Sequence, residues 1–117
     1  MRIKESSPIN FDALLKLTGH NHQLANELLT MFAAELPEIR TTLKRLYSNQ
    51  SYNPLTALIH KLHGSCCYCA ATRLQQLSKT TETELKEKSY GDLANLISQI
   101  DAEIVSILDY IGQSKTL

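Results

Sequence analysis

Residues 91–112 read GDLANLISQIDAEIVSILDYIG, and this stretch decides the fold. Its apolar residues Leu93, Leu96, Ile97, Ile100, Ile104, Ile107, Leu108 and Ile111 return at steps of three and four. That is the period of an amphipathic helix with one buried face; a half-buried strand would alternate instead. Gly91 and Asp92 mark its start. A helix of this kind cannot stand alone, so the rest of the chain must supply partners for its stripe.

Those partners lie upstream. Leu74, Leu77 and Leu85 form a weaker stripe, with Thr81 at a position where a larger residue is expected. Before it, NPLTALIHKLHGSCCYC (residues 53–69) opens with Asn53 as helix N-cap and Pro54 at the first helical position. Its predicted inward stripe is Leu55, Leu58, Leu62, Cys66 and Cys69. A long helix is predicted from about Asn21 to Ser48–Gln50, carrying Leu28, Phe32, Leu36, Ile39, Leu43 and Leu46. Pro37 inside it predicts a bend near Glu35–Leu36 without a full stop, because proline removes one backbone donor and crowds the preceding turn. At the front, Asn10 caps a short helix from Phe11, with Ile9 stapled onto Leu14 and Gly19 placed to end it. The reading is all-α: an up-down four-helix bundle with a short N-terminal capping helix. It makes one domain over 1–117, with an ordered core from about 9 to 111 and a frayed tail from Gln113.

Composition narrows the function. Twelve Lys and Arg balance twelve Asp and Glu, so the chain lacks the basic excess of a nucleic-acid or anionic-membrane binder. No apolar run reaches the roughly 18 residues needed to span a bilayer, and MRIKESSPIN has no apolar core of a secretory signal. The three cysteines, Cys66, Cys67 and Cys69, are too close together to staple distant parts of a fold, which favours a reducing, cytoplasmic setting.

Residues 53–69 also hold the candidate site. At about 100° per residue, His60, His63, Gly64 and Cys67 share one helix face, away from the inward stripe. A neutral imidazole facing solvent is a competent nucleophile near pH 7. Glycine inside a helix costs about 0.5–1 kcal/mol relative to alanine, so Gly64 needs a reason, and clearing space beside His60 supplies one. His63, one turn on, offers a neighbour that becomes cationic beside a phosphoryl group. Ala57, Ile59, Lys61 and Cys67 are the candidate docking residues around it. Tyr68 is expected to fill a gap beside the site helix.

The pattern His-x-x-His-Gly-Ser at 60–65 resembles the histidine phosphotransfer (HPt) signature, usually His-x-x-Lys-Gly. With LIHKLHGSCCYCA (58–70), FDALLKLTG (11–19) and ELLTMFAAELPEIR (27–40), the chain is most similar to the C-terminal HPt module of hybrid sensor histidine kinases of the BarA/GacS type. The resemblance implies a phosphocarrier, without a nucleotide site of its own. His60 would take a phosphoryl group from a receiver-domain aspartate and pass it to the aspartate of a response regulator. It implies no cofactor in the chain itself, the receiver bringing a divalent cation, expected to be magnesium. The expected partners are receiver domains, with no nucleic acid and no membrane insertion, and the isolated domain is expected to be a monomer. The setting it implies is cytoplasmic, with a tether to the inner membrane through a parent kinase. Two departures stand out: His63 sits where many members carry lysine, and Cys67 and Ala70 sit where glycine is frequent. The competing readings are a non-catalytic helical adaptor, or a metal site built from His60, His63 and Cys67 with a further ligand.

Overall fold

A computed structural model describes the backbone of residues 7–116, with side chains to residue 112. Residues 1–6, part of the stretch read as lacking a secretory signal, and Leu117 lie outside the described residues. Five helices follow in order: α1 (Phe11–Leu17), α2 (His22–Ser48), α3 (Tyr52–Cys69), α4 (Thr72–Lys86) and α5 (Leu93–Thr116). Among the described residues there is no strand. α2 packs on α3, α3 on α4, α4 on α5 and α5 back on α2, a closed up-down ring, while α1 covers one end against α2 and α3.

The caps explain most boundaries. Asn10 accepts from the Ala13 N–H and Asn21 from the Leu24 N–H, each satisfying a donor that the first helical turn leaves free. Thr18 closes α1, and Gly19 and His20 turn the chain with positive φ (64° and 62°), Gly19 being the residue suited to that region. α3 starts earlier than the Asn-Pro reading predicts: Ser51 precedes the first helical residue, Tyr52, and Pro54 is third. Proline is harmless there, because the first backbone donor the helix uses is Leu55, to the Ser51 carbonyl at 3.0 Å. α2 runs unbroken through Pro37, as expected of a proline that does not end the helix. The tail expected to fray from Gln113 continues α5 to Thr116.

α5 buries every residue of its stripe except Leu108, which is half-buried. Leu36, Leu43, Leu55, Ile59, Leu62, Leu74, Ile100, Ile104 and Ile107 are essentially inaccessible and fill the centre. Ile9 and Leu14 are both buried in the core, and the Asn10 N–H donates to the Ala70 carbonyl at 2.9 Å, tying the entry segment to the α3–α4 turn. That turn is tight. Ala70 closes α3 at φ 56°, in the left-handed region, where a side chain costs about 1 kcal/mol or more relative to glycine. Outside the core, Asp101 of α5 pairs with Arg40 and Lys44 of α2, and Glu103 with Arg73 of α4. Arg40 first, then Lys44, holds the Asp101 carboxyl below the usual carboxylate range against partial desolvation.

The stripe on α3 differs from the predicted one. Leu55, Ile59, Leu62, Cys66 and Cys69 are buried, and Leu58 is only half-buried. Exchanging Leu58 for Ile59 turns the stripe's centre by about 20° around the helix at 100° per residue. The cause is the neighbour: α3 packs more extensively on α4 than on α2, which draws the inward face toward α4.

α4 is the most polar wall of the bundle. Thr81 is fully buried and donates to the Leu77 carbonyl at 2.7 Å, so its hydroxyl is satisfied inside the helix. Ser78 is equally buried, and among the described residues its hydroxyl has no partner. An unsatisfied buried hydroxyl costs about 1–3 kcal/mol, and serine is also a poorer helix former than alanine. Ser78→Ala is therefore expected to stabilise the domain by about 1 kcal/mol, read as a raised denaturation midpoint at unchanged slope.

Candidate functional site

α3 carries the site because its outward face is the one left over once Leu55, Ile59, Leu62, Cys66 and Cys69 are buried. His60 stands on that face with its ring 72% exposed. It is not solitary. Its Nδ1 lies 2.8 Å from Oε2 of Glu82, on the neighbouring helix α4, whose side chain is only 13% exposed. The same carboxylate oxygen accepts from Lys86 Nζ at 2.9 Å. A carboxylate can only accept, so the hydrogen-bond network assigns a proton to Nδ1, and the neutral form of the ring then carries its lone pair on Nε2. Lys86 first, and His60 after it, holds the Glu82 carboxyl below the usual carboxylate range, against partial desolvation.

The rest of the predicted constellation is partly assembled. His63 and Gly64 are half-buried beside the His60 face, and Cys67 and Lys61 are exposed. A side chain built on Gly64 would meet nothing within 4 Å, so no neighbouring helix demands a glycine here. Ala57 is exposed and lines a groove of about 440 Å³ that runs from His60 past Glu82 and Lys86 to Tyr52 and Tyr90. The two tyrosine rings stack at that end, with centroids 4.2 Å apart.

Two expectations are corrected. Ile59, expected among the docking residues, is wholly buried, because the α3 stripe turns toward α4 and takes Ile59 into the core. Tyr68, expected to fill a gap, is 73% exposed, since its helix position falls between the surfaces that α2 and α4 cover. Glu82 was missed. Its i,i+4 relation to Lys86 was visible in the sequence, but its place opposite His60, 22 residues away, depends on the α3–α4 register.

The cysteines divide by burial. Cys66 and Cys69 are buried and Cys67 is exposed. Desolvation raises the Cys66 thiol far above its ordinary range and pushes that of Cys69 to about 11. Cys69 also donates to the Leu28 carbonyl at 3.7 Å. Among the described residues no three His, Cys, Asp or Glu side chains converge as metal ligands.

Comparison with known proteins identifies the family. A family profile described as "Hpt domain" matches residues 27–110. The chain belongs to the Hpt domain family. It is 25% identical over 107 residues to the signal transduction histidine-protein kinase BarA of Shigella flexneri and of Escherichia coli K12. The match covers 92% of this chain but 11% of those proteins, so the chain spans about a tenth of their length. It also superposes on the crystal structure of the HPT domain from a sensor hybrid histidine kinase of Shewanella, with a TM-score of 0.87 and 28% identity. That alignment covers 94% of this chain and 95% of the other. Members of the family are phosphocarriers in phosphorelays, not kinases.

Two outcomes test the site's description. Thiol titration of the native protein at pH 8 should find one fast-reacting cysteine, Cys67, with Cys66 and Cys69 reacting only on unfolding. Gly64→Ala should raise stability by about 0.5–1 kcal/mol, since the new methyl meets open space and helix propensity improves. A loss of stability would show that a neighbour needs the glycine after all.

Proposed function

We propose that the chain carries a phosphoryl group on Nε2 of His60, taken from the aspartate of a receiver domain and passed to the aspartate of a response regulator. One observation supports this best: an exposed imidazole whose Nδ1 is engaged by Glu82, leaving the Nε2 lone pair toward solvent. Inward transfer is an in-line displacement. The Nε2 lone pair attacks phosphorus, and the bond to the aspartyl oxygen breaks, its electron pair staying on the receiver's carboxylate. Outward transfer reverses these roles. The receiver would bring a divalent cation, magnesium being the expected one, which offsets charge on the transferred group.

The chain's own residues then have distinct tasks. His60 is the nucleophile and the leaving group. Gly64 keeps the approach open, since a Cβ there meets nothing within 4 Å and a long side chain would extend from it one turn from the imidazole. His63 is a hydrogen-bonding or cationic neighbour of the phosphoryl group. Ala57, Lys61 and Cys67, all exposed around His60, form the surface a receiver covers. By similarity to relatives about eight times as long, the chain works as the phosphotransfer module of a hybrid sensor kinase, on the cytoplasmic side of the inner membrane to which such a parent is tethered. Among the described residues no helix is long and apolar enough to cross a membrane. As a separate domain it acts as a monomer.

The test is phosphotransfer from a phosphorylated receiver domain. Wild-type protein should acquire acid-labile, base-stable label, and His60→Gln should acquire none while keeping its stability within about 0.5 kcal/mol, as an exposed helix position allows. Equal labelling of His60→Gln would refute the assignment. Gly64→Leu should fold at least as well as wild type and yet transfer at least tenfold more slowly. An unchanged rate would remove the clearance role.

A further inference from the structure

The charges of this chain are balanced in number but not in place. From Ile39 to Thr81 the sequence holds no Asp or Glu, while it carries Arg40, Lys44, Arg45, Lys61, Arg73 and Lys79. Acids of α5 pair three of these: Asp101 takes Arg40 and Lys44, and Glu103 takes Arg73. Lys61 and Lys79 form no ion pair among the described residues, and neither does Lys88 beyond the end of α4. We propose that the α4 edge of the His60 groove, Lys79 and Lys88 on either side of the Glu82–Lys86 pair, captures the acidic face of a receiver domain by charge and orients it over the imidazole. The proposal rests on the phosphocarrier reading and deepens it by stating how that partner is recognised.

Lys79 and Lys86, three residues before Glu82 and four after it, share the side of α4 that meets α3, and both are exposed. α3 and α4 run antiparallel, so Lys79 stands opposite His63, while Lys88 lines the groove on the other side of His60. Lys86 and Glu82 cancel one another, which leaves the edge with two uncompensated positive charges. Glu84 and Glu87 do not offset them, because at about 100° per residue they fall on the far side of α4 from Glu82. Across His60 the balance differs. There Lys61 borders a depression with Glu35 and Glu38 of α2. A partner approaching His60 therefore meets positive charge along α4 and negative charge along α2.

The chemistry of transfer sets the charge of that partner. A domain that is phosphorylated on an aspartate and holds a divalent cation must gather further oxygen ligands, carboxylates above all, around that aspartate. Donor and acceptor share this requirement, so each turns an acidic surface toward His60. Charge complementarity at such a rim raises the encounter rate and fixes orientation more than it adds affinity.

The test measures transfer to the intact chain from a phosphorylated receiver domain by rapid quench. It compares about 0.02 M with about 0.5 M salt, where the screening length falls from about 20 Å to about 4 Å. Lys79→Gln combined with Lys88→Gly removes both charges. Glycine suits the left-handed backbone of Lys88 at φ 59°, so this double variant should be at least as stable as wild type. With receiver below saturation, its second-order rate constant should fall about tenfold at low salt and match wild type at high salt. The single-turnover rate at saturating receiver should stay unchanged, which separates docking from chemistry. Lys16→Gln makes the same kind of charge change on α1, which does not pack on α4, and should leave the rates as they are. An unchanged low-salt rate in the double variant, an equal loss in Lys16→Gln, or a slowed rate at saturation would each overturn the proposal while leaving His60 as carrier. Salt-sensitive self-association lost in the double variant, with transfer unchanged, would also overturn it and assign the edge to a second copy of the chain. Absence of label on His60 in the wild type would instead overturn the carrier reading beneath it.

Discussion

The packing of α3 against α4 is the constraint on which the rest of the molecule depends. It turns the α3 stripe so that Ile59 enters the core and Leu58 moves to the flank. The same rotation sets His60 at the edge of the α4 contact, where Glu82 meets its Nδ1. Had the stripe held Leu58 in place of Ile59, the histidine would point about 20° farther from α4, at 100° per residue. Core packing thus decides the tautomer of an exposed side chain, because a buried isoleucine and an outward histidine one residue apart share one rigid helix.

The energies separate cleanly. Stability comes from the closed ring of aliphatic stripes, where burying each large side chain is worth about 1.5–3 kcal/mol. The site face contributes little of this. An ion pair with one partner as exposed as His60 contributes at most about 1 kcal/mol, and Gly64 costs about as much in helix propensity. Ala70 in left-handed backbone and Ser78 with its unpartnered hydroxyl are further small costs that the core absorbs. The face around His60 is therefore nearly free of folding duty.

Much of this was legible in the sequence. The α5 stripe, the Asn10 cap, the burial of Ile9 and Leu14 and the outward placing of His60 and Cys67 all follow from local periodicity and cap chemistry, which involve residues within a few positions of one another. The start of α3 was misplaced by two residues because Asn-Pro is a strong local signal. A proline is as easily accommodated at the third helical position as at the first, since neither donates within the helix.

What the sequence by itself determined is the all-helical ring and the face that holds His60, because helical period ties each residue's direction to its neighbours along the chain. Only the tertiary structure decided that Ile59 is core, that Tyr68 is exposed, and that Glu82 engages His60. Those three depend on how far one helix rotates and slides against another. Two amphipathic helices can meet in several registers that bury nearly the same apolar area, and side-chain interlocking across the whole bundle selects among them.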